Sequence, residues 1–150
     1  MSILAKWVRR VATFVVLDIV AIGMGMGVPI FAILLGFPVG WFLPAVLAVH
    51  PPYTASDLRS LLRAALLTSA ITLALCAVLW LPTLALLFDP SDRIAEFGMP
   101  LILFEPLPSF IGWLVLMVLV SPVLQALATL CGSFVRLALA PRSSESQAAA

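Results

Sequence analysis

The stretch VATFVVLDIVAIGMGMGVPIFAILLGFPVGWFLPAVLAVH, residues 11–50, decides how this chain is organised. Its one acid is Asp18, and it contains no lysine or arginine. A membrane crossing takes about 20 apolar residues, so this run is longer than one crossing needs, and glycines and prolines interrupt it. The number of times that it crosses a membrane therefore sets the topology of the whole chain.

The composition of the 150 residues predicts an integral membrane protein. Hydrophobic residues make up 63% and charged residues 10%, whereas soluble domains carry about 25% charged residues. The mean hydropathy is +1.21. A net charge of +1 without a basic patch gives no indication of nucleic-acid binding. Cys76 and Cys131 lie in apolar segments without metal or redox spacing, so we expect reduced packing residues.

The charges between the apolar segments predict the topology. Three segments are net basic: residues 1–10, residues 51–63 and the region from Arg136 onward. Residues 89–108 carry four acids and one arginine. Because lysine and arginine concentrate on the cytoplasmic side, we place the three basic segments inside and residues 89–108 outside. This arrangement requires an even number of crossings in residues 11–50 and one in each later apolar segment.

We therefore predict an all-α integral membrane protein, a four-helix transmembrane bundle with both termini cytoplasmic. Residues 1–140 form a single transmembrane domain and residues 141–150 a disordered tail. The predicted helices occupy about residues 8–25, 28–50, 64–88 and 109–139. No cleavage site follows the first apolar run, so we expect its helix to be retained.

The first two predicted helices are short and broken by glycine and proline. Residues 11–24 would span only about 21 Å of a hydrocarbon core of about 30 Å. The pair turns at residues 23–29 and either crosses the membrane twice or forms a re-entrant hairpin. Both alternatives return the chain to the cytoplasm, so the charges do not separate them, and we favour the full crossing.

Polar side chains recur at helical spacing in three of the predicted helices. The positions are Ser121, Gln125, Thr129 and Ser133 in the last helix, Thr68, Thr72 and Cys76 in the third, and Asp18 in the first. Counted from the nearest arginine, the central residues lie roughly 10 to 17 Å from the cytoplasmic edge. We predict a polar layer in which Asp18, protonated or hydrogen-bonded, meets Thr72, Gln125 and Thr129. It either holds helices together or carries a proton or ion, and we favour the first because one acid without a charged partner makes a weak relay.

Three further positions are candidates for contacts. Gly36 and Gly40 have the spacing that permits close helix approach. Glu105, flanked by apolar residues and prolines, is a candidate external contact, and the alternative is an ordinary interfacial carboxylate. His50, the one histidine, is expected to be solvated at the interface.

The sequence contains no catalytic, cofactor-binding or metal-binding motif. We expect a non-catalytic accessory or assembly subunit of a membrane complex in the bacterial cytoplasmic (inner) membrane. Its expected partners are the lipid bilayer and other membrane subunits or further copies of itself, without nucleic acid or cofactor. The alternative is a small oligomeric transporter or channel with Asp18 in a proton or ion pathway.

Overall fold

The computed structural model describes residues 3–24, 29–87 and 106–140. These residues are almost entirely helical and contain no strand, which confirms the all-helical prediction for this part of the chain. The helices are α1 (Ile3–Met24), α2 (Ile30–Val46), α3 (Ala55–Trp80), which a 3-10 segment (Leu81–Leu87) extends, and α4. Helix α4 has three continuous segments: α-helical Pro106–Val115, π-helical Leu116–Val120 and α-helical Ser121–Leu139.

Two of these helices are long and apolar enough to cross a membrane, α3 and the 33-residue stretch Leu107–Leu139. Helix α2 is apolar over 17 residues, or about 26 Å at about 1.5 Å per residue. Helix α1 has 22 residues because it continues back through Lys6, Arg9 and Arg10. It is therefore longer than the fourteen apolar residues from which we estimated its span. The length and composition of α3 and α4 favour association with a membrane.

Helix α3 begins at Ala55, about nine residues before the predicted start near residue 64. Thr54 and Asp57 form a reciprocal capping arrangement at this end. The Thr54 N–H donates to Asp57 Oδ2 over 2.9 Å, and the Asp57 N–H donates to Thr54 Oγ1 over 3.3 Å. These bonds satisfy backbone donors that a helix start leaves unpaired, so the helix begins in the polar segment before the apolar run.

Two other helix ends differ from the prediction. Helix α2 ends at Val46 rather than near residue 50, because Ala48 adopts a φ of 54° and the Val49 N–H donates back to Pro44 O over 2.9 Å. Helix α4 begins at Pro106, three residues before the predicted start at residue 109.

Contacts along α1 and α3 show that these helices run in the same direction. The carboxyl of Asp18 contacts Thr72, and four residues further along each helix Ile22 packs with Cys76. Residue numbers therefore increase together along the two helices.

Helix α4 runs opposite to α3. Near the last turn of α3, Trp80 lies edge-to-face against Trp113, with ring centroids 4.6 Å apart. Before the first turn of α3, the Tyr53 hydroxyl donates to Leu137 O over 3.2 Å, near the end of α4. The start of α3 and the end of α4 therefore lie at the same end of the molecule.

Helices α2 and α4 run parallel to each other, and they are the most closely packed pair of helices in the described chain. A Cβ atom on Gly36 would overlap the backbone of Gln125, and one on Gly40 would overlap that of Thr129. Gly132 lies equally close to the backbone of α2. Small residues of this kind allow two helices to approach until their backbones touch.

The helix directions bring all the basic residues of the described chain to one end of the molecule. The start of α1, the start of α3 and the end of α4 lie there, and we call this the basic end. Its residues are Lys6, Arg9, Arg10, Arg59, Arg63 and Arg136. Residues 25–28 of the predicted turn at 23–29, residues 89–105 of the acidic segment and the tail 141–150 lie outside the described residues.

Candidate functional site

The candidate site is the carboxyl of Asp18, which points from α1 into the interior. Asp18 is 0% exposed, although its neighbours Leu17 and Ile19 are 48% and 43% exposed. Thr72 Oγ1 lies 2.5 Å from Asp18 Oδ2, and Gln125 Nε2 donates to Oδ1 over 3.2 Å. The carboxyl therefore joins α1 to α3 through one oxygen and to α4 through the other.

The hydrogen bonds of the Thr72 hydroxyl fit both protonation states of Asp18. Thr72 Oγ1 also lies 3.2 Å from Thr68 O. A protonated Asp18 can donate a hydrogen bond to Thr72 Oγ1. The Thr72 hydroxyl then donates its own hydrogen bond to Thr68 O. A carboxylate can instead accept from Thr72 and Gln125. The site can therefore gain or lose one proton without any side chain changing its place.

Basic side chains are far from this carboxyl in the described helices. Arg10 precedes Asp18 by eight residues, Arg63 precedes Thr72 by nine, and Arg136 follows Gln125 by eleven. These spacings correspond to roughly 12 to 17 Å along the helix axes. Within the described chain, no three His, Cys, Asp or Glu side chains group together to hold a metal ion. The layer is therefore either neutral or carries a single negative charge.

Thr129 lies one helical turn after Gln125, towards the basic end. Its hydroxyl donates to Gln125 O over 2.9 Å and makes no bond to Asp18. The Ser133 hydroxyl lies 2.9 Å from both Thr129 O and Gly40 O. The structure thus brings three of the four predicted residues into contact: Asp18, Thr72 and Gln125. It places Thr129 in the contact between α2 and α4. Whether these residues form a functional site stays a prediction.

The structure adds Gly132 to the residues that sequence reasoning selected, and it gives a specific environment to Ser121, which the sequence placed on the polar face of the last helix but outside the predicted layer. Gly132 lies against the backbone of α2, and its spacing from Ala128 is a small-residue signal that could have identified it. Ser121 is 0% exposed, and no hydrogen-bond partner of its hydroxyl lies in the described chain. His50 is exposed at the basic end. Glu105 lies outside the described residues.

Two cavities border the helices, and the residues of the polar layer line neither of them. One, of about 880 Å³, opens at the basic end between the loop that follows α2 and the end of α4. The other, of about 330 Å³, is an apolar groove between α1 and α2.

Comparisons with protein-family models, with curated proteins and with solved structures found no match to this chain.

Proposed function

We propose that this chain is a small polytopic membrane protein that acts as a non-catalytic accessory or assembly subunit of a larger membrane complex. The observation that carries this proposal is the bonding of Asp18. Both oxygens of its buried carboxyl are engaged by side chains of the same chain, Thr72 and Gln125. A polar group bonded in this way to two neighbouring helices holds the helices together.

The exposed face of α1 is available to a partner in a larger assembly. Among its described side chains, from Ala5 to Met24, Asp18 and Ile22 alone are buried. Apolar residues such as Val16 and Val20 are 60% and 50% exposed. Because so few side chains of α1 pack against the rest of the chain, its apolar surface must contact lipid or a helix of another subunit.

The proposed topology has four crossings of a bacterial cytoplasmic membrane, with both termini in the cytoplasm. The gathering of Lys6, Arg9, Arg10, Arg59, Arg63 and Arg136 at the basic end supports it, because basic residues concentrate on the cytoplasmic side. The partners in this proposal are the lipid bilayer and either other membrane subunits or further copies of the chain, with no cofactor.

The purified chain, reconstituted alone in proteoliposomes that enclose a pH-sensitive dye, tests this proposal. We expect the rate of proton entry under an imposed pH gradient to equal that of empty liposomes. The matched control is Asp18→Asn, which keeps the size of the side chain. Proton entry that the wild type supports and the Asp18→Asn protein lacks would overturn the proposal.

That result would favour the second candidate, a small oligomeric transporter or channel with Asp18 in its pathway. One observation supports this alternative: beside the carboxyl, the side-chain oxygens Gln125 Oε1 and Ser121 Oγ are buried, and the described residues give them no hydrogen-bond partner. Polar groups that the internal network leaves unsatisfied are frequent at sites that bind a ligand or an ion.

A further inference from the structure

The π-helical segment of α4 deprives one backbone carbonyl, that of Met117, of its usual helical donors. The Ser121 N–H donates to Leu116 O, five residues earlier, so it is not available to the carbonyl of Met117. The next residue, Pro122, has no N–H to give in the same π register. Met117 O therefore receives no hydrogen bond from the N–H of residue 121, its partner in an α-helix. It receives none from residue 122, its partner in a π-helix, because that residue is proline.

Two unpaired side-chain oxygens lie on the same face of α4. Met117, Ser121 and Gln125 follow one another at intervals of four residues, which places them in successive turns on one side of the helix. Ser121 and Gln125 are 0% exposed, and neither Ser121 Oγ nor Gln125 Oε1 has a partner within the described residues. Buried polar groups without partners are strongly unfavourable, above all where no solvent reaches.

We propose that one buried water molecule binds between these three groups. One O–H group of the water donates a hydrogen bond to Gln125 Oε1, and the other donates to Met117 O. The water oxygen accepts a hydrogen bond from the Ser121 hydroxyl. The donors and acceptors balance. The two O–H groups of the water match the two acceptors, Gln125 Oε1 and Met117 O, and one lone pair of the water matches the Ser121 hydroxyl. Buried waters typically make about three hydrogen bonds, and ordered waters commonly satisfy carbonyls that proline frees in membrane helices.

A metal cation fits this position less well than water. The oxygens of Asp18, the nearest acid, are engaged by Thr72 and by the Gln125 amide nitrogen, whose protons would also repel a cation. The remaining ligands are neutral. The water instead extends the hydrogen-bonded chain from Thr72 through Asp18 and Gln125 to the π-helical segment of α4. This inference does not depend on the proposed function.

Water-selective NOE and ROE spectra of the full chain, isotope-labelled in detergent micelles, test the water site. We expect a cross-peak between the side-chain NH2 protons of Gln125 and a long-lived water. The variants S121V and S121T form a matched pair, because valine and threonine have the same shape and only threonine keeps the hydroxyl. S121V should lose the cross-peak and S121T should retain it.

Absence of the cross-peak from the wild type would overturn the inference, whether or not S121V folds. Its persistence in a folded S121V protein would also overturn it.

Discussion

Replacing Asp18 shows whether its oxygens or its charge are needed. In Asp18→Asn the amide keeps one acceptor for Gln125, and its NH2 can donate to Thr72 Oγ1, whose proton goes to Thr68 O. We expect the free energy of unfolding to stay within about 0.5 kcal/mol of the wild type, since a membrane hydrogen bond contributes about 0.6 kcal/mol on average. Asp18→Leu leaves Thr72 and Gln125 without this partner and should lose about 1 to 2 kcal/mol. Reversible unfolding in mixed micelles measures both, and equal losses would show that the charge is required.

Ala48 gives a second prediction for a single residue. Its φ of 54° lies in the left-handed region, which disfavours alanine by about 1 to 2 kcal/mol and glycine hardly at all. Ala48→Gly should therefore raise the free energy of unfolding by about 0.5 to 1 kcal/mol. The control is Ala45→Gly, inside α2, which should lower it by about 1 kcal/mol. A loss of stability in both variants would contradict the assigned conformation of Ala48.

Individual residues of the layer could be predicted by counting along the chain. The rise per residue of a helix is fixed, so the distances of Asp18, Thr72 and Gln125 from the arginines predicted a common depth, at which the structure places them in contact. Counting gives the depth of a residue but not the neighbour that its side chain reaches. For this reason it did not separate Thr129, whose hydroxyl turns to the backbone of its own helix.

The glycines between α2 and α4 give a prediction about a helix pair. A methyl group on Gly40 would overlap the backbone of Thr129, whereas one on Gly23 meets no atom within 4 Å. We expect Gly40→Ala to lower the free energy of unfolding by about 1 to 3 kcal/mol, as overpacking does. The matched control Gly23→Ala should cause no loss. Equal effects of the two substitutions on micelle unfolding would show that the close approach of α2 and α4 is not needed for stability.

The sequence pattern predicted a contact face on α2 without identifying the partner helix. The spacing of Gly36 and Gly40 indicates close approach, but any neighbouring helix can fill the groove that they leave. Helix ends were predicted less well, because hydropathy marks where a chain becomes polar and not where its helix begins. The start of α3 depends on the bonds between Thr54 and Asp57, which lie in the polar segment.

The topology of the whole molecule gives a prediction for reporter fusions in a bacterial host. Because the basic end should face the cytoplasm, a green fluorescent protein fused after residue 150 should fluoresce. Alkaline phosphatase inserted between residues 89 and 105 should be active, since that segment is placed outside. Fluorescence and phosphatase activity at the opposite sites would reverse the orientation.

The charges along the chain predicted which segments share a side, and the directions of α1, α3 and α4 bring the described basic residues to one end. The sequence does not separate surfaces that face lipid from surfaces that face another subunit. Both are apolar, so the exposed face of α1 has the composition that either environment requires.

The most direct test of the accessory-subunit proposal is the mass of the native assembly. Mass spectrometry of the tagged chain, extracted from its own membrane in mild detergent, measures which subunits remain bound and in what ratio. The proposal predicts a fixed stoichiometric complex with other membrane proteins. A chain that is recovered alone or solely as a homo-oligomer, and that carries protons when reconstituted, would contradict it.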